Sequence, residues 1–185
     1  LRKCSKNVNS HIEYIFVNDN TPDKSINILF DVMKDYPKRK NQIKLCNNKC
    51  NLGLAGVRNI IIREASGIFM LFVDSDDWID LNTCESALKL ALQHQSDVVM
   101  WAYVREFKKQ SLPKLYLSGT TIWEENISQL HRRIVGPINE ELTRPDTLDS
   151  WGTIWGKVYR SSFIHANSPI RFVDTKLIGS AEDVL

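Results

Sequence analysis

No run in this 185-residue chain approaches the roughly 18 consecutive apolar residues that a membrane-spanning helix needs, and no secretory leader opens it. Its four cysteines, Cys4, Cys46, Cys50 and Cys84, lack the paired C-x-x-C spacing of a zinc site. The four histidines, His11, His94, His131 and His165, share no spacing either, and none reads as a metal ligand. Neither a G-x-G-x-x-G fingerprint nor a G-K-[ST] phosphate loop occurs, and there is no internal repeat. A net charge of +2 is too small to imply a polyanion partner. Lys34, Lys38, Arg39, Lys40 and Lys44 read as a solvated helix end and loop, so no nucleic acid is expected. These absences leave a soluble, cytoplasmic globule with reduced thiols, whose 43% apolar residues suffice for one sizeable core. The chain opens on Leu1-Arg2-Lys3-Cys4 without Met and stops at Asp183-Val184-Leu185, and both ends read as truncated.

What the chain does contain is an alternation of periods. Ile12 to Val17 is a β-rich run that halts at the turn formers Asn18-Asp19-Asn20-Thr21-Pro22-Asp23. Ile26, Leu29, Phe30, Met33 and Tyr36 then recur at helical spacing up to Pro37. A strand at Ile43 to Cys46, a helix from Leu54 to Ala65 and a buried strand from Ile68 to Val73 follow. Asn82 with Glu85 predicts a capping box for a helix carrying Cys84, Ala87, Leu88, Ala91 and Leu92. Val98 to Phe107 is extended again. The alternation predicts an α/β fold with a mostly parallel sheet flanked by helices, in which ligands sit at the carboxyl ends of the strands. Beyond Gln110 the regularity fades into a smaller, irregular mixed extension with one helix expected from Glu124 to Val135.

The acids stand where a ligand is expected. Asp74-Ser75-Asp76-Asp77 comes directly after the most apolar strand, and carboxylates crowded at the edge of a core repel one another unless a cation or a hydrogen-bonded ligand compensates them. Hard oxygen donors suit Mg²⁺ or Mn²⁺, ions that commonly accompany phosphorylated substrates. Asp19 is either a turn aspartate capping the next helix or a ligand-binding acid. In Asn51-Leu52-Gly53-Leu54-Ala55-Gly56-Val57-Arg58-Asn59, the glycines either shape a tight turn or let the backbone approach a ligand, and Arg58 either pairs with an acid or faces that ligand. Trp101, Trp123, Trp151 and Trp155 are core residues or sugar-stacking platforms, and Trp78 is expected to pack beneath the acidic run.

Taken in order, Phe16-Val17-Asn18-Asp19, Asn51 to Asn59, Phe72-Val73-Asp74-Ser75-Asp76-Asp77 and Glu182-Asp183 resemble the motifs of a family 2 glycosyltransferase with the GT-A (nucleotide-diphospho-sugar transferase) fold, of the bacterial cell-surface polysaccharide type. Trp155-Gly156-Lys157-Val158-Tyr159 also resembles a segment that often precedes the acidic pair in bacterial members. The resemblance implies a single domain over residues 1–185, with a nucleotide-binding part over 1–110 and an acceptor-side part over 111–185. It implies that Asp19 and Arg58 bind the nucleotide, that Asp74 and Asp76 form the D-x-D pair with Asp76 on Mg²⁺ or Mn²⁺, and that Asp183 is the general base. The expected partners are a UDP-sugar donor and a glycan or lipid-linked acceptor, with possible peripheral association at the inner membrane face. Two departures stand out: the family's first strand is absent before Leu1, and its Gly-Ser-x-Asp loop is here Asn20-Thr21-Pro22-Asp23. A nucleotidyltransferase with a related sheet and a catalytically silent nucleotide-sugar-binding module are the rival readings.

Overall fold

The computed structural model describes residues 11–114, 142–143, 152–166 and 172–173. The predicted helix from Glu124 to Val135, Trp123, Trp151 and the Glu182-Asp183 pair lie outside the described residues. In chain order the elements are β1 (Tyr14–Asn18), α1 (Ser25–Lys34), a 3-10 segment (Pro37–Gln42), β2 (Ile43–Asn47), α2 (Gly53–Glu64), β3 (Phe69–Leu71), α3 (Thr83–Gln93), β4 (Val98–Met100), β5 (Tyr103–Glu106), β6 (Ser111–Lys114), β7 (Lys157–Arg160) and α4 (Ser161–Ala166). The α/β alternation of the first hundred residues is as expected.

Among the described residues the ladders are not mostly parallel: one is parallel and three are antiparallel. β1 and β2 pair in parallel from Tyr14 opposite Ile43 to Asn18 opposite Asn47. β3 and β4 run in the same direction as each other, but β7 lies between them and is antiparallel to both. Leu71 stands opposite Val158 and Met100 opposite Lys157. The central strand of this sheet therefore comes from the segment that looked irregular. Four residues, Lys157-Val158-Tyr159-Arg160, are too few for a period to be visible, and tertiary pairing makes them a strand. β5 and β6 form an antiparallel hairpin, with Pro113 on an edge strand where its missing N–H does no harm.

Other local expectations shift for similar reasons. The strand expected over Ile68 to Val73 shortens to Phe69–Leu71, and Ile68 is 73% exposed because pairing to β7 ends there. In α1 the buried residue is Leu29, whereas Phe30 is exposed, one position round the helix from the packed face. Asn82 precedes α3 but its side chain makes no capping bond; Asp80 Oδ1 accepts from the Asn82 amide instead.

The core lies between α2 and the β3–β7–β4 sheet. Ala55 and Ile62 on one face of α2 meet Met70, Phe72, Ile154, Ile164 and Phe172. Phe72 packs edge-to-face on both Tyr159 and Phe172, with ring centroids 6.2 and 6.4 Å away. Phe72→Ala is expected to cost about 3–5 kcal/mol, read as a lower urea midpoint with an unchanged denaturant slope.

Candidate functional site

β1 delivers the first site residue. Asn18, at the end of the ladder, donates through Nδ2 to Asn47 Oδ1 (3.0 Å), and its own Oδ1 accepts the Thr21 amide (3.0 Å), folding the loop back; Asn20 adopts φ 59° in that turn. Asp19 is thereby aimed at the amino end of α2. Its Oδ1 accepts from Asn48 Nδ2 (2.7 Å) and the Leu52 amide (2.9 Å), and its Oδ2 accepts from the Gly53 amide (2.9 Å). Asp19 is thus a cap, but for a helix 33 residues away and not for the one that follows it. The following helix takes its cap from Asp23, whose Oδ1 accepts the Ser25 amide at 2.8 Å; hydrogen bonds from Ser25 and Thr21 hold that carboxyl below its ordinary value.

Two glycines make the Asp19 contact possible. Gly53 sits at φ +72°, and a Cβ on Gly56 would come within 2.5 Å of Leu52 Cβ. The carboxylate meets the exposed amides and the positive end of the helix dipole together.

Five residues beyond Gly53, Arg58 is only 3% exposed. Its Nη2 lies 3.9 Å from Asp74 Oδ1 and its guanidinium stands over the Phe172 ring at 5.5 Å. Asp19, after β1, and Asp74, after β3, are therefore both fastened to α2, one at its first turn and one in its middle. This realises the reading in which Arg58 pairs with an acid.

From Asp74 the chain turns tightly, with the Asp77 amide donating to the Asp74 carbonyl (3.1 Å). Asp76 and Asp77 are exposed, and neither caps α3, which starts at Thr83. Trp78 does not pack beneath the turn; it is 50% exposed. Partial burial together with the Asp76 and Asp74 carboxylates raises the Asp77 carboxyl above its ordinary value, so negative potential accumulates here, and it suits a cation. Among the described residues no three metal-ligating side chains converge, which excludes a cage made by those side chains alone but fits an ion completed by phosphate oxygens and water.

Two features escaped the sequence reading. Asn59 exchanges a pair of hydrogen bonds with the Phe172 backbone, its Nδ2 donating to the carbonyl and its Oδ1 accepting the amide, both at 2.9 Å; only an accepted pairing partner 113 residues away could reveal that role. Lys157 is 6% exposed on β7, its ammonium donating to the Thr153 carbonyl and to Thr153 Oγ1 (3.2 Å), and burial pushes it down to about 8. Its sequence signal was only its place in the Trp155–Tyr159 motif. A hollow of about 470 Å³ lined in part by Glu13, Gln42, Lys44 and Ser66 lies at the amino ends of β1 and β2, away from Asp19. Asp183 is outside the described residues, and among the described residues no disulfide joins Cys46, Cys50 or Cys84. No helix among the described residues is long and apolar enough to cross a membrane.

Residues 1–146 match the family model "Glycosyl transferase family 2". The putative glycosyltransferase EpsH of Bacillus subtilis is 31% identical over 176 residues, covering 90% of this chain and 45% of the relative. Glycosyltransferase GlyA of Streptococcus pneumoniae is 27% identical over 170 residues, covering 87% of this chain and 22% of GlyA. The chain thus spans less than half the length of these relatives. Among solved structures, residues 1–349 of Staphylococcus aureus TarS superpose with a TM-score of 0.66 at 23% identity, over 98% of this chain and 47% of that one, and the same protein in complex with UDP gives 0.64.

Two outcomes follow from this geometry. Asp19→Ala is expected to lower stability by about 1–2 kcal/mol through loss of the α2 cap, measured by urea unfolding without ligand. Lys157 has a folded value below its ordinary one, so the unfolded state binds more protons between about pH 8 and 10.5, and stability rises with pH across that window. The melting temperature of the native chain should gain on that of Lys157→Met from pH 7 to 10, by the equivalent of up to about 3 kcal/mol.

Proposed function

This chain belongs to glycosyl transferase family 2 and has the GT-A fold, and from that premise we propose that it is a metal-dependent, inverting enzyme that moves a sugar from a UDP-sugar to a hydroxyl on a glycan or lipid-linked acceptor. Cell-surface polysaccharide assembly, at the cytoplasmic face of the membrane, is the setting this reading assigns. The observation that carries it is the fastening of Asp19 and Asp74 to one helix at the carboxyl edge of the strands, where an α/β sheet presents its ligand.

In this reading the Asp19 carboxylate, already oriented by the Leu52 and Gly53 amides, uses the remaining acceptor capacity of Oδ2 for a base or ribose donor. Arg58 holds Asp74 in place from below, and Asp74 with Asp76 faces the sugar-diphosphate. Asp76 would hold Mg²⁺ or Mn²⁺, which when bound would supply charge compensation for the diphosphate. Asp183 takes the proton of the acceptor hydroxyl as that oxygen bonds the anomeric carbon, and the bond from that carbon to the diphosphate oxygen breaks, releasing UDP with inversion. Burial of the Arg58 guanidinium limits its freedom, whereas the Asp74 carboxylate stays partly open to a ligand.

With UDP at about a hundredfold its Kd in the presence of Mn²⁺, the chain should gain about 2.7 kcal/mol and melt several degrees higher. Asp76→Ala should abolish the Mn²⁺-dependent part of that gain. Asp183→Ala should keep UDP binding while UDP release from a UDP-sugar falls by on the order of a hundredfold or more. Binding without turnover in the native chain would instead identify a silent module.

A further inference from the structure

Two side chains of β7 reach backwards along the chain. The Lys157 ammonium bonds both oxygens of Thr153, and the Tyr159 hydroxyl donates to the Ile154 carbonyl (3.2 Å). Thr153 Oγ1 bonds the Trp155 carbonyl (3.3 Å), the Trp101 amide donates to the Gly156 carbonyl (3.2 Å), and Gly156 turns the chain at φ +68°. The turn 153–156 is fixed by two side chains of β7 and by the Trp101 amide just after β4, and Trp155 leaves it with its ring edge-to-face on Tyr103, centroids 4.7 Å apart.

The place of this turn is set by register. Leu71 stands opposite Val158; Asp74 follows the end of β3 by three residues and Trp155 precedes the start of β7 by two, so the acidic turn and the tryptophan leave the same end of the β3–β7 pair. Lys157 is more than nine-tenths buried, and among the described residues no carboxylate pairs with it; burial alone accounts for its depressed basicity. A buried ammonium without a counter-charge is destabilising relative to a methionine of similar shape, so stability does not explain its presence.

We propose that Lys157 is a positioning residue of the transfer site: it holds the turn 153–156 so that Trp155 stands beside the acidic turn and packs on the C–H face of a pyranose ring. The inference rests on the glycosyl-transfer reading above. The ring belongs either to the donor or to the acceptor, and the chemistry of stacking is the same for both.

The test uses the full chain and the Trp155 indole N–H resonance, assigned by its loss in Trp155→Ala. The native chain is titrated with UDP, with UDP-glucose and UDP-N-acetylglucosamine, and, with UDP bound, with maltotriose and chitotriose. A Trp155 shift with a UDP-sugar but not with UDP identifies the donor ring, and a shift with an oligosaccharide identifies the acceptor. In Lys157→Met the same saccharide should bind at least tenfold more weakly while UDP affinity stays within twofold, and Lys157→Arg should regain part of the loss. Should Lys157→Met not fold, Thr153→Val, which removes only the Oγ1 contacts, is expected to weaken saccharide binding in the same sense. Saccharide binding unchanged in a folded Lys157 variant, or a Trp155 resonance indifferent to every saccharide while UDP still binds, overturns the proposal. Absence of UDP binding in the native chain overturns the transfer reading, and this inference with it.

Discussion

The site depends on one helix being held at two points. α2 offers its first-turn amides to Asp19 and its buried Arg58 to Asp74, and these two contacts tie the ends of β1 and β3 to the same helix. The two attachments differ in kind. Asp19 contributes stability directly, because a carboxylate at a helix amino end satisfies donors that otherwise face water and meets the favourable end of the dipole. The Arg58–Asp74 pair contributes orientation more than stability, since removing a guanidinium from water offsets most of what the ion pair returns. Phe172 closes over Arg58, and Asn59 pins the Phe172 backbone, so the same helix also fixes a segment from the far end of the chain.

Among the described residues no basic side chain forms a salt bridge with Asp76 or Asp77. Arg58 reaches Asp74, whereas Asp76 and Asp77 are exposed, and Asp77 is harder to ionise because it is partly buried and its neighbours are already negative.

Much of the first hundred residues was legible because local chemistry decides it. The stops at Asn18-Asp19-Asn20, the glycines of the 53–56 turn and the helical spacing in α1 and α2 all act over a few residues, and the elements fall within one or two positions of expectation. The errors have two causes, one local and one long-range. Asn82 and Glu85 carry a capping signature that the geometry of the Asp80 loop pre-empts, and Trp78 is outside because the strand before it ends at Leu71 rather than at Val73. Pairing with β7, 87 residues away, sets where the strand ends, whereas the lost cap follows from Asp80, two residues before Asn82.

By itself the sequence determined the alternation of strands and helices and the acids that follow β1 and β3, since turn chemistry and hydrophobic period are properties of short windows. Tertiary structure alone decided that Asp19 caps α2 instead of α1, that Arg58 spends its charge on Asp74, and that four residues near position 158 become the middle of a sheet. The physical reason is that hydrogen-bond and ion-pair partners are chosen by distance in space, and separations of 33 residues between Asp19 and Leu52, or of 87 between Leu71 and Val158, leave no mark on any local pattern.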